Sequence, residues 1–209
     1  MELIKKTTKF SLFSLTLFML FSCDVRSRVE LSELKIGATL DSSIIKNTAK
    51  QIDLDQTTGL PYYSTYKNVE SYRLGSIKFS LDYPKEKPYL KSEIGFLVNN
   101  QQDNVLQGYF ISTYSCEESK SIQQILKQKY ANPIVVREAT DTWPYSAYYW
   151  KGTTDGLDIL LAPTKQEFNY EGKEYNCSST SLYMIKSGLR IANMDYRETV
   201  LFNFIKRSE

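Results

Sequence analysis

Tyr89–Val98 (YLKSEIGFLV), Asn99–Asp103 (NNQQD) and Asn104–Tyr114 (NVLQGYFISTY) decide the fold. Two apolar, aromatic-rich runs of strand length flank five polar residues, which is the composition and loop length of an antiparallel hairpin. Just upstream, Ser76–Leu81 alternates with a period of two and sets Ile77, Phe79 and Leu81 on one face, so a further strand is predicted there. Just downstream, Ser115-Cys116-Glu117-Glu118 has the spacing of a capping box. Ile122, Ile125, Leu126 and Tyr130 then share one stripe until Asn132-Pro133 ends it, which predicts a helix over 117–130.

Toward the C-terminus the pattern is strand-like at 134–137, 147–151, 157–162, 168–176 (with a turn at Glu171-Gly172) and 181–185. Asp155-Gly156 is a second hairpin turn. Asp195 is a suitable cap for Tyr196, Val200, Leu201, Phe204 and Ile205, an amphipathic C-terminal helix for which an edge strand is the alternative. Toward the N-terminus, residues 53–68 carry Gly59, Pro61 and three tyrosines without a period and read as a loop. Asp41 caps a short helix over 42–51. Long runs of strands with a few separate helices predict the α+β class. The expected architecture is a single domain over 34–209, an antiparallel sheet with two or three helices packed on one side.

The first 23 residues read differently. Lys5, Lys6 and Lys9 precede an apolar run from Phe10 to Phe21, the layout of a secretory leader. That run is about a dozen residues, well short of the ~20 that a membrane-spanning helix needs. Leu20-Phe21-Ser22-Cys23 closes it and resembles the lipobox of bacterial lipoproteins. The resemblance implies that residues 1–22 are removed and that Cys23 becomes the new N-terminus, diacylated on sulfur with palmitate-class chains. Residues 23–33 are then a tether, and the domain sits outside the cytoplasm, in the cell envelope, held to a membrane by its lipid. Each buried methylene contributes about 0.8 kcal/mol, so several chains anchor far more firmly than one. Asp24 is similar to the inner-membrane retention signal of enterobacterial lipoproteins, which leaves the leaflet open. Lys35-Ile36-Gly37-Ala38-Thr39 is weakly similar to the Gly-x-Thr turn before the first helix of small envelope domains of the beta-lactamase-inhibitor and outer-membrane-assembly type, which bind proteins.

Composition narrows the function. The formal charge of +2 lies in the leader, where three lysines face Glu2, so the remainder is neutral and offers no basic field for nucleic acid. The chain has no histidine, which excludes Ser-His-Asp and Cys-His sites, and zinc would fall to carboxylates and two cysteines. No glycine-rich phosphate loop supports a nucleotide cofactor, and no cofactor or metal is expected. With Cys23 lipidated, Cys116 and Cys177 remain as an even pair in an exported chain. That points to a disulfide, with two separate thiols as the alternative.

Three sets of residues are candidates for a site. Ser64-Thr65-Tyr66-Lys67 and Lys186-Ser187-Gly188 resemble motifs of penicillin-binding proteins, which would imply a nucleophilic Ser64. The middle motif is absent, however, and Ser64 lies in a Pro-Tyr-Tyr loop. Asp155 with Asp158, or Glu171 with Glu174, are the acid and base pairs of an alternative function, a carboxylate-based envelope hydrolase acting on glycan or peptidoglycan. Trp143, Tyr145, Tyr148, Tyr149 and Trp150 form the richest aromatic cluster and the expected interface, although alternation splits Tyr148 and Trp150 from Tyr149. The expected function is non-catalytic: a lipid-anchored envelope protein that binds another envelope component, a protein ahead of a glycan, with the oligomeric state open.

Overall fold

The computed structural model describes residues 28–51, 53–81, 91–138, 146–170 and 173–189, apart from the side chains at 100, 137, 166–170 and 173–177. The hairpin expected around Asn99–Asp103 lies in the interior of its main sheet. Strands β6 (Glu93–Asn99) and β7 (Val105–Thr113) pair antiparallel, with Gly95 opposite Phe110. The Phe110 ring lies across Gly95, where an added Cβ would meet it at 2.1 Å, so this rung accepts only the smallest residue. Asn99–Asp103 forms the connection, and Asp103 and Asn104 take positive φ of 48° and 56°, which these short polar side chains tolerate.

Both sides of the hairpin are extended. On one side lie β3 (Tyr62–Thr65) and β2 (Ala49–Lys50). On the other lie β11 (Lys173–Lys186), β10 (Leu157–Tyr170), β9 (Ala147–Trp150) and β8 (Ile134–Arg137). The order is β2-β3-β6-β7-β11-β10-β9-β8, antiparallel throughout. A second sheet is formed by β1 (Val29–Glu30), β4 (Tyr72–Leu74) and β5 (Ile77–Lys78), with β1 and β4 parallel.

Among the described residues two α-helices accompany the sheets, α1 (Ser42–Lys46) and α2 (Cys116–Lys129). Asp41 caps α1 through the Ser43 N–H at 2.7 Å, and Ser115 caps α2 through the Glu118 N–H at 3.3 Å. Ile122 and Leu126 of α2 join Tyr72, Leu74 and Ile77 of the small sheet over one face of the main sheet. They meet Phe96, Ile111, Leu161 and Leu182 there. Alternating residues from the same strands, Leu97, Phe110, Tyr149, Leu160 and Ile185, form a second core on the opposite face. Each such side chain, fully buried, contributes about 1.5–3 kcal/mol.

The α+β expectation is thereby corrected. Among the described residues the protein is mostly β, with an eight-stranded and a three-stranded sheet, and only α2 is longer than a turn or so. The helix expected over 42–51 stops at Lys46. Thr48 turns its hydroxyl back onto the Ile44 carbonyl at 2.9 Å, and Ala49–Lys50 enters the sheet instead. The stretch read as a loop over 53–68 contains β3, and β4 follows it. β3 was illegible because a strand buried on both faces shows no period; β4 alternates, with Arg73 exposed between buried Tyr72 and Leu74, but three residues are too few to establish a period. Within Ser76–Leu81 only Ile77 and Lys78 are strand; Ile77 and Phe79 are buried as expected, but Leu81 is 49% exposed. The C-terminal helix expected from Asp195 lies outside the described residues.

The strands expected at 157–162, 168–176 and 181–185 are one long hairpin. Its inner half is flanked on both sides, by β9 at Ile159–Leu161 and by β7 at Thr180–Ile185. Beyond that, 164–170 and 173–179 pair only with each other among the described residues. Pro163 marks the limit on one side. Its carbonyl accepts the Ser146 N–H at 2.9 Å, but it has no N–H to return the second bond of that rung. Ser115 marks the limit on the other side, where β7 gives way to α2.

Candidate functional site

Strand β9 carries the described part of the aromatic cluster and divides it as alternation requires. Trp150 is 5% exposed in the first core, and its indole Nε1–H donates to the Tyr130 carbonyl at 3.0 Å. Tyr149 is 1% exposed in the second core. Tyr148 is half-buried on the Trp150 side, with the Lys127 ammonium 5.9 Å from its ring centre. Trp143 and Tyr145 lie outside the described residues. Tyr149 and Trp150 are thus core residues in this fold, and neither is open to a partner.

What this region does expose is its neighbour. Among the described residues strand β8 is the last of the main sheet, and its register sets Ile134 beside Tyr149 and Val135 beside Tyr148. Ile134 is 38% and Val135 50% exposed, so the strand presents apolar side chains on both faces at a sheet edge. Such an edge is a template for pairing with another chain. The opposite edge is unlike it: β2 has two residues, and Lys50 folds over the Tyr63 ring. Pro133 and Asn132, the latter at φ 55°, bring the chain into β8 after α2. Sequence reasoning found the strand but not its place in the sheet, for which nothing local is a signal.

A concavity of about 570 Å³ lies between β5 and the first turn of α2. Ser76, Lys78 and Ser80 line one wall, and Ser115, Glu117 and Ser121 the other. Glu118, also in its lining, is not a free acid. One carboxylate oxygen accepts the Thr113 hydroxyl at 2.5 Å and the other the Ser80 N–H at 2.9 Å. It therefore ties the end of β7 to the segment that follows β5 rather than closing the capping box, and burial pushes its carboxyl up from the usual range. The cleft offers serine hydroxyls, Lys78 and the neighbouring carboxylates of Glu117 and Glu118, of which Glu118 is engaged by Thr113 and Ser80.

The other sequence candidates are not brought together. Asp155 accepts from the Lys129 ammonium at 2.7 Å and the Tyr130 hydroxyl at 2.6 Å, which together hold its carboxyl below the usual range. Asp158 is buried and accepts from the Gly152 N–H and the Ser187 hydroxyl, closing the turn between β9 and β10. Glu171 and the Glu174 side chain lie outside the described residues. Ser64 is buried on β3, where it accepts the Gln51 amide at 2.9 Å, while Lys186 ends β11 three strands away. Cys116 begins α2, and Cys177 stands opposite Gln166 in the hairpin register. Cys23 precedes the described residues.

Among the described residues no group of three or more Cys, Asp or Glu side chains is placed to hold a metal, and no helix is long and apolar enough to cross a membrane. No protein-family model matches the chain, and no curated protein or solved structure is significantly similar to it.

Proposed function

We propose that this chain is an exported, non-catalytic binding protein, anchored through a lipid on Cys23, that captures a protein of the bacterial cell envelope by strand addition at β8. The observation that carries the reading is the apolar edge, with Ile134 and Val135 exposed on the outermost strand among the described residues. Main-chain bonds along such an edge supply affinity, and the alternating side chains supply selectivity. The leader and the Leu20–Cys23 pattern support the location, and the absence of histidine supports a role without acid-base chemistry of the common kind.

A photo-crosslinking amino acid at position 135 of the full chain, expressed in intact bacteria, tests the binding claim. One specific protein adduct is expected from position 135 and none from position 50 on the opposite edge. No adduct, or the same adducts from both edges, overturns it. The anchor is tested separately: metabolic labelling with palmitate should mark the protein, and Cys23→Ser should abolish the label. An unlabelled wild-type chain removes the lipid from the proposal and leaves the edge to stand on its own.

A further inference from the structure

We infer that Cys116 and Cys177 are joined in a disulfide that fastens the base of the projecting β10–β11 ribbon to the first turn of α2. The register of β7 with β11 sets Thr113 opposite Thr180 and Ser112 opposite Ser181. Three further steps along the same register bring Cys116 beside Cys177, although the chain has by then turned into the helix. A second contact places the two elements together independently: the Ser119 hydroxyl, one turn into α2, is hydrogen-bonded to the Thr180 hydroxyl on β11. The Cys116 sulfur is not a free thiol in the structure. The one cysteine of the chain besides these two is Cys23, which the proposed lipid anchor occupies.

The bond closes the side of the hairpin that β7 abandons. Beyond Thr180 the ribbon has no third strand among the described residues, and an isolated two-stranded ribbon is only marginally stable in water. A covalent tie at Cys177 holds its base where the ladder with β7 ends.

Formation requires an oxidant, and the inference rests on the proposed export for it: the disulfide of an exported thiol–disulfide oxidoreductase. One cysteine thiolate attacks that disulfide to give a mixed disulfide, and the second cysteine displaces the oxidoreductase. The Cys116 and Cys177 thiols lose two electrons and two protons, and the oxidoreductase leaves as its dithiol.

The test uses full-length protein purified from bacterial envelopes, alkylated without reductant, digested and weighed. The expected product is one peptide pair containing both cysteines, lighter by two hydrogens than the separate thiol peptides, and Cys177→Ser should expose Cys116 to alkylation. Alkylation of both cysteines in the wild-type chain, or Cys116 linked elsewhere, overturns the inference. If the protein proves not to be exported, the same digest of chain oxidised in vitro with a small disulfide still reports whether the two sulfurs pair. Hydrogen exchange then tests the role. Reduction should speed exchange at 164–170 and 173–179 and leave Ile159–Leu161 unchanged; equal rates in both forms overturn the fastening.

Discussion

The two halves of the β10–β11 hairpin share one register and differ in everything around it. In the inner half, Ile159, Leu161 and Leu182 are fully buried in the first core, and Leu160 and Ile185 are buried in the second. Among the described residues the two strands of the outer half pair only with each other, and they run past Thr113, the last residue of β7, and Ala147, the first of β9. Two residues draw the boundary, Pro163 by lacking a donor and Ser115 by starting a helix. The lesson is that hairpin length and hairpin stability are separate properties. Length follows from uninterrupted pairing, whereas stability follows from what lies on either side and on either face.

That contrast breaks most easily at Ile159. Ile159→Ala should cost about 3 kcal/mol in urea unfolding, since it leaves a cavity in a closed core. Lys165→Ala, at an exposed position just past Pro163, should stay within about 0.5 kcal/mol. Equal costs at the two positions would mean that the outer half is as embedded as the inner. A smaller loss, about 2 kcal/mol, is expected for Gly108→Ala. Its new Cβ would stand 2.5 Å from the Met184 backbone oxygen, so the β7–β11 ladder that flanks the inner half must shift to admit it. A change within measurement error there would show that the ladder is looser than its register implies.

The subtlest comparison concerns the point where β7 ends. Burial holds the Glu118 carboxyl above its ordinary value, so the native state keeps a proton that the unfolded chain has released. This contribution to stability is fully present below the unfolded-state value and is lost as pH rises through the native-state one. Glu118→Gln, which keeps the shape without titrating, should remove that dependence. Wild-type stability measured against the variant should therefore decline from about pH 4 upward. A difference that grows with pH would mean that the bonds from Thr113 and Ser80 outweigh burial.

How much of this was legible follows the reach of each signal. Helix α2 came out within a residue of its expected bounds because its cap, stripe and stop are all local. The division of Tyr149 from Tyr148 and Trp150 was legible too, since alternation belongs to the strand itself. Strands β3 and β4 were not, and the count of strands and helices went wrong with them. Of the candidate site, sequence pointed to β9, whose aromatics proved to be core, while the exposed apolar pair sits one strand further out on β8.

By itself, then, the sequence determined the features written within a few neighbouring residues: the β6–β7 hairpin, the capped helix α2, the Asp155-Gly156 turn and the lack of any histidine chemistry. Tertiary structure alone decided that, among the described residues, Ile134–Arg137 is an edge, Leu81 is open while Phe79 is buried, and the outer hairpin stands beyond its neighbours. The physical reason is that a residue's own preferences act along the chain, whereas exposure depends on which strand arrives alongside, and that strand comes from a distant part of the sequence.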